Sequence, residues 1–555
     1  MGFQVLGGLV FLALIAHQIF KRYETYSIRA HLALLFGPPV LASALLPSSY
    51  TSIHAPLLCH LTYLGALSAF VILYRLAPWH PLARYPGPPG AKLSKWWMAC
   101  VSLSGYEHLY IHKLHEKYGD VVRFGPNELS IRSASAANPI MATAAGVPKG
   151  PQYVGRMLSE SDANLPLIGV QNVDEHLRRR RPWNRAFSAT AVKGYEEIIA
   201  RRARQLVDAL ERQKEAGEVV LGKWFNFFAY DFMCDMAFGG GSELLRDGDD
   251  ANVWKVLDEG MAAGTFLGHV PWLGVYLSHI PAAVAPLHTL ISHCRALTKQ
   301  RIQNGSSRRD LFHYLNNEDI PEKGVIPLRQ LTDDGCLAVV AGADTTSSTM
   351  TSLFYCLLTH PEAYERLQIE VDKSYPAGED IADSKHLADM EYLNAVINET
   401  LRLYPPVPTG SQRQVPRDSQ GATVNSIFLP PGTSVTVQAL SVHRDPRNFF
   451  PHPDTFWPDR WLFASSSSSS SSPSLSAPET FVHNVDAFIP FALGPMNCVG
   501  KNLALQEIRM VVCAVMQRLE FSLREGWNPE EYERGFKAHL VASRPAVPVM
   551  VRVRG

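Results

Sequence analysis

The apolar positions at the start of the chain come in blocks rather than in alternation. Val5 to Phe20 is almost wholly apolar, carries no Lys or Arg, and is closed by Lys21-Arg22. A second block covers about Leu32 to Leu46, broken by Pro38-Pro39, and a third covers Pro56 to Leu76. A helix needs about 20 apolar residues to cross a bilayer. The third block is therefore the strongest span, the first a weaker one and the second the weakest. The pattern predicts a membrane region over residues 1–77, with helices at about 3–20, 31–47 and 56–76. A cleaved signal peptide is the rival reading of the first block, but no positive segment precedes it and no small-residue cleavage site is evident.

Charge bears on the number of crossings. Lys21, Arg22 and Arg29 lie in the first connection, the second ("PSSYTSIHAP") has no Lys or Arg, and Arg75, Arg84 and Lys92 follow the third block. With three crossings the two positive segments share a side, and the positive-inside bias makes that side the cytosol. One crossing with two surface-lying segments is the alternative.

Beyond this region the pattern changes. Residues 78–90, "PWHPLARYPGPPG", are rich in prolines that fix φ and remove donors, which predicts a stiff, non-helical linker. Within residues 91–555, helical periodicity marks segments around 175–215, 251–300, 329–360 and 388–403. Short strand-like alternations occur at 121–132, 427–439 and 547–553. The expected fold class is mainly α with small β-sheets, an α+β body without internal repeats. Residues 464–480, "ASSSSSSSSPSLSAPET", read as a Ser-rich disordered insertion.

Composition adds exclusions. Fifty-two basic residues balance fifty-two acidic ones, so no charge surplus draws nucleic acid. The eight cysteines show neither a Cys-x-x-Cys pair nor a zinc-like cluster, which points to free thiols in a reducing compartment. Cysteine chemistry would rest on one residue.

That residue is Cys498, in "PFALGPMNCVGKNLA". Thiolate is the form that binds metal. Gly494 lets the backbone turn sharply against a flat ligand. Asn497, Val499 and Gly500 can aim N–H groups at the sulfur, the dipole of the helix that follows favours a negative charge there, and Phe491 can shield it. A second stretch, "AGADTT" at 341–346, sets the acid Asp344 beside the alcohol Thr345 in an otherwise apolar helix. Gly342 and Ala343 would leave room for a flat cofactor, and a threonine bonding the preceding turn can open the helix. A Gly/Thr kink in a core helix is the plainer alternative. In "NETLRLYPP", Glu399 and Arg402 share a helix face, and "FWPDRWL" sets Arg460 among aromatics. A buried Glu399–Arg402–Arg460 triad would have to be complete to be tolerated.

These four motifs, in this order, resemble the cytochrome P450 superfamily of haem-thiolate monooxygenases, over roughly residues 80–555. The apolar start, the Pro-Gly linker and "HEKYGDVVRFGPNELS" resemble a fungal microsomal member. The resemblance implies a P450 fold in which Cys498 is the thiolate ligand of the iron of haem b. It implies that Asp344 and Thr345 relay protons to dioxygen. His176, Arg180 and Arg413 would partner the haem carboxylates, His176 standing where the family has Trp in Trp-x-x-x-Arg. Met496 departs from the pattern. The family usually has a basic residue there, and methionine cannot donate, so the other three residues are expected to compensate.

The resemblance further implies electrons from NADPH through a separate NADPH–cytochrome P450 reductase, and anchoring in the endoplasmic reticulum membrane with the catalytic body facing the cytosol. The reaction would be hydroxylation or epoxidation of a small lipophilic substrate, terpenoid or similar, in fungal secondary metabolism. Leu165 to Val170, Val339, Val340, Ala343, Val407 and Pro408 would line the pocket. Arg178 to Arg181 form either a solvated helix face or a basic docking face for the reductase. A haem-thiolate isomerase or dehydratase, and a membrane haem-binding protein without turnover, are the rivals. The retained Asp344-Thr345 pair argues against both.

Overall fold

The computed structural model describes residues 2–45, 54–142, 147–159, 161, 165–215, 217–250, 252–306, 308–376, 378–380, 384–466, 478 and 480–554. The expected Ser-rich insertion lies largely outside the described residues; its first three residues end the helix Asp459–Ser466.

Three helices open the chain, Gly2–Arg22, Ile28–Ser43 and His54–Leu76. The first and third are long and apolar enough to cross a membrane. The second has 16 residues, about 24 Å at 1.5 Å per residue, which falls short of a bilayer core. The three pack around Leu9, Ala13, Ala16, Cys59, Tyr63 and Leu67, and Tyr63 Oη donates to Leu34 O at 2.6 Å. The first connection touches the body: Glu24 meets Arg417 Nη2 at 2.6 Å and Lys95 Nζ at 3.5 Å, and His31 meets the Tyr276 hydroxyl.

Residues 77–88 are non-helical, and they are packed rather than free. Leu82 and Tyr85 are buried in the sheet core, Arg123 N donates to Pro86 O at 2.7 Å, and Pro89 then opens a short helix to Leu93.

The main sheet has the strand order Val121–Gly125, Glu128–Ile131, Ser434–Val437, Gln412–Gln414. Its centre is parallel, with Leu129 opposite Val435. A second sheet joins Leu519–Leu523, Pro548–Val553 and Glu218–Val220. The helical segments resolve into discrete helices separated by caps. The stretch at 175–215 becomes Val173–Ala186 and Ala189–Arg212, and that at 251–300 becomes Val253–His269, Pro271–Leu277 and Pro281–Asn304. Ser188 caps the second of these by accepting from Ala191 N.

The centre of the body is the 32-residue helix Leu328–Thr359. Its length is about 48 Å, and it stops one residue before His360-Pro361. Helix Leu221–Phe238 packs along it where side chains are absent. A Cβ at Gly335 would stand 2.8 Å from the Phe238 ring, and one at Gly342 would stand 2.5 Å from Met233 Sδ. The expectation that Gly342 leaves room for a flat cofactor is thereby corrected, because Met233 takes that room. Helix Lys501–Arg518 lies against another face of the central helix.

Candidate functional site

Cys498 sits between the turn Gly494–Met496 and the helix Lys501–Arg518. Gly494 has φ 73°, and a Cβ there would meet Met141 O at 2.3 Å, so the position admits only glycine. Cys498 N donates to Phe491 O at 2.9 Å and Asn497 N to Gly494 O at 3.0 Å. The N–H of Asn497 is thus spent within the loop, and it is Gly500 and Lys501 that aim N–H groups at the sulfur. Phe491 is half-buried beside the main core, with Lys501 Nζ 5.7 Å from its ring centroid. Burial pushes the Cys498 thiol up, against those two donors and the charges of Arg180 and Lys501. Cys498 and Cys100 are nevertheless the two exposed cysteines. Protein surrounds the sulfur, yet one side of it is reachable.

The central helix also has a reachable face. From Asp334 to Leu357 it is buried except at Leu337, Val340, Ala341, Gly342 and Thr345. Positions 337, 341 and 345 are four apart and form one stripe. Val340 belongs to this face, whereas Val339 and Ala343, expected to line a pocket, are buried in the core. Thr345 Oγ1 donates to Ala341 O at 2.8 Å, but the helix is not opened by it and runs on to Thr359. Asp344 is buried and paired with Arg544, whose Nη2 also donates to Asp258 Oδ1 at 2.8 Å. Burial pushes the Asp344 carboxyl up, against the charge of Arg544.

His176, Arg180 and Arg413 come together, and Lys149 joins them. Lys149 and Arg413 are paired across a β-bridge. Burial, and then the charges of Lys149, Arg180 and Arg413, hold His176 down to about 3, so it is neutral. Its buried Nδ1 has no partner, and neither does Arg413 Nε. Arg413 Nη1 rests 2.6 Å from Met496 Sδ, a poor acceptor. Arg180 grips the cysteine loop, donating to Asn497 O at 2.8 Å and to Asn497 Oδ1 at 3.0 Å. Among the described residues no carboxylate pairs with Arg180 or Arg413. Orphaned donors and uncompensated cations of this kind suit an anionic ligand.

Glu399, Arg402 and Arg460 are fully buried and in contact. Glu399 meets Arg402 through two bonds of 2.8 and 2.9 Å and Arg460 Nε at 3.0 Å. Trp457 N and Trp461 Nε1, both at 3.0 Å, complete its coordination. Against the cost of burial, Arg402 and then Arg460 hold the Glu399 carboxyl below its usual range. Arg402 Nη1 donates to His443 O at 2.9 Å. His443 carries the link onward, its Nδ1 3.1 Å from Arg402 O and its Nε2 accepting from Ile489 N at 3.0 Å. Ile489 leads into the cysteine loop.

Sequence reasoning passed over Lys149, His443 and Arg544. Only the cysteine-free "SVHRD" and a lone Lys before Gly150 stood there as signals, and neither has a characteristic spacing.

The sequence matches the cytochrome P450 family over residues 88–549. The chain belongs to that family. Cytochrome P450 67 of Uromyces fabae is 32% identical over 551 residues, 98% of each chain. Cytochrome P450 monooxygenase FCK2 of Fusarium pseudograminearum is 31% identical over 500 residues, 89% of this chain and 85% of its own. Tryprostatin B 6-hydroxylase of Aspergillus fumigatus is 29% identical over 574 residues, 100% of this chain and 97% of its own. As a cytochrome P450 the chain is an oxidoreductase, and the family's cofactor is haem held by a cysteine thiolate. The residues present fit that group. There is a reachable thiol with two N–H donors aimed at it, and a nest of cations with two orphaned buried nitrogens.

Proposed function

We propose that this cytochrome P450 hydroxylates or epoxidises a small lipophilic molecule, using dioxygen and electrons from NADPH through a separate NADPH–cytochrome P450 reductase. The observation that carries the reading is Cys498, reachable in a partly exposed loop whose turn admits only glycine at 494. Cys498 would hold the iron of haem b, with Gly500, Lys501 and Arg180 easing its negative charge. His176, Arg180, Arg413 and Lys149 would receive the haem carboxylates, in place of the donor that Met496 lacks. When bound, haem supplies the oxygen activation that no side chain can perform.

Thr345, on the reachable stripe, would hold a proton at Oγ1 for the reaction, shared with Ala341 O until needed. Asp344 would restock it, with Arg544 setting how readily the carboxyl turns from its present partner. Leu337, Val340 and Ala341 give the stripe an apolar wall, which supports a lipophilic substrate. That the Aspergillus fumigatus relative is a tryprostatin B 6-hydroxylase supports hydroxylation, and the fungal relatives support a role in secondary metabolism; the substrate would have a terpenoid or similar skeleton. The Glu399–Arg402–Arg460 triad would keep the cysteine loop in place through His443.

The apolar N-terminal helices would anchor the protein in the endoplasmic reticulum membrane, with the body in the cytosol. The contacts of Glu24 with Lys95 and Arg417 support a first connection on the body's side.

The test is expression with a reductase, followed by the ferrous–CO difference spectrum of wild type and Cys498→Ala. The wild type is expected to show the thiolate-type band and the variant to lack it. Porphyrin retained equally in both would overturn the reading. Product that appears without NADPH or dioxygen would point to an isomerase instead.

A further inference from the structure

Glu507 lies on the helix that follows the cysteine loop and is 1% exposed. Among the described residues no cation bonds to it. Its partner is Thr346 Oγ1, 3.0 Å from Glu507 Oε1. Thr346 Oγ1 also lies 2.8 Å from Gly342 O, one turn back on the central helix. A carbonyl oxygen can only accept, and a threonine hydroxyl has one proton to give. If that proton goes to Gly342, the contact with Glu507 is a hydrogen bond only when the carboxyl brings a proton of its own. A carboxylate would set lone pairs against lone pairs or pull Thr346 off Gly342.

The charged groups around this helix are engaged elsewhere. Glu196, on the helix Ala189–Arg212, is taken by Ser384 at 2.7 Å and Gln506 at 3.3 Å. Arg509 Nε donates to Asn394 Oδ1 at 2.7 Å, and Asp344 is held by Arg544. Burial pushes the Glu507 carboxyl up to about 8, against the contact with Thr346.

We infer that Glu507 is a neutral carboxylic acid that donates to Thr346, tying the helix that begins behind Cys498 to the turn of the central helix that carries Thr345. It is a positioning residue. It is buried outside the reachable stripe, and it sets the separation between the two walls of the site. Its consequence for turnover rests on the haem-thiolate reading above, whereas its protonation does not.

Infrared difference spectroscopy of wild type against Glu507→Gln at neutral pH reads the protonation directly. A carbonyl band of a protonated carboxylic acid, shifted in D2O and missing from the variant, is expected. A band of ionised carboxylate in its place overturns the inference. The second readout is product formed per NADPH consumed. Glu507→Gln keeps a donor for Thr346 and should stay near wild type. Glu507→Leu and Thr346→Val each remove the link and should lose about tenfold or more, since a small misplacement near the chemistry is costly. Equal coupling in Gln and Leu variants would also overturn it. Thr346→Val keeps shape and volume, so it carries the test if Glu507→Leu fails to fold. A wild type without the thiolate-type CO band would sink the haem reading and leave the infrared result standing.

Discussion

Met233 occupies the volume that a side chain at residue 342 would need, with its Sδ and Cε each 2.5 Å from where that Cβ would stand. The glycine of the "AGADTT" stretch thus serves the packing of helix Leu221–Phe238 against the central helix. Gly342→Ala should force the thioether aside and cost on the order of 1–3 kcal/mol. Adding Met233→Ala should recover part of that loss, measured as the shift in thermal midpoint of single and double variants. Independent, additive losses would contradict the shared volume.

Among the described residues, the buried carboxylate at 399 is the sole anion for two buried guanidinium groups. Glu399→Gln should cost about 3–5 kcal/mol, because it leaves uncompensated charge in the core. The sign of the pH effect follows from its depressed folded-state value. The stabilisation is present above the unfolded-state carboxylate range and is lost as pH falls through the lower folded value. Denaturant midpoints recorded from neutral to acid pH should therefore fall more steeply in wild type than in the variant.

Arg413 has an unbonded Nε and a methionine sulfur where a strong acceptor would be expected. Arg413→Gln should speed haem loss to an acceptor globin. A charge-assisted bond contributes about 1.5–3 kcal/mol, so the change should be about tenfold or more. Met496→Arg should oppose it by restoring a cation beside the same loop. A release rate unmoved by Arg413→Gln would remove this residue from the haem site.

Glu507 gives a pH dependence of opposite sign. Its folded value, about 8, lies above the ordinary 4.5. Between the two the folded protein holds a proton that the unfolded chain has released, so stability falls as pH rises across that window. The slope is at most about 1.4 kcal/mol per pH unit. In Glu507→Gln the slope should flatten, as read by urea midpoints at successive pH values.

Thr345→Ala removes the only hydroxyl on the reachable stripe. Product per NADPH consumed should fall about a hundredfold or more if its proton is used in the chemistry, while NADPH oxidation continues. Unchanged coupling would take Thr345 out of the proposed role.

What could be read from the sequence was what has a local signature. The strands at 121–132 were legible because alternation around a Pro-Asn turn is a local pattern, and the central helix because its apolar run ends at a proline. The ring of Glu399, Arg402 and Arg460 was legible because Glu399 and Arg402 are three apart on one helix face and Arg460 stands in its own aromatic-flanked motif. Lys149, His443 and Arg544 were not, because each acts on partners that only the fold brings near: His443 reaches Arg402 41 residues back, and Arg544 reaches Asp344 200 residues back. The face assignments also failed locally. Val339 and Ala343 are as apolar as Leu337 and Ala341, and only the packing of neighbouring helices on the central one decides which pair is covered.

Glu24 stands before the second helix, yet its carboxylate is shared by Lys95 and Arg417 of the body. A protein shortened to begin near Pro78, the usual route to easier handling, would strip Arg417 of its counter-charge, leave Lys95 to Glu128 alone, and take from Tyr276 its histidine neighbour. Such a shortened form should bind anionic surfaces and resins more tightly than the whole chain does, a salt-sensitive stickiness created by the cut itself.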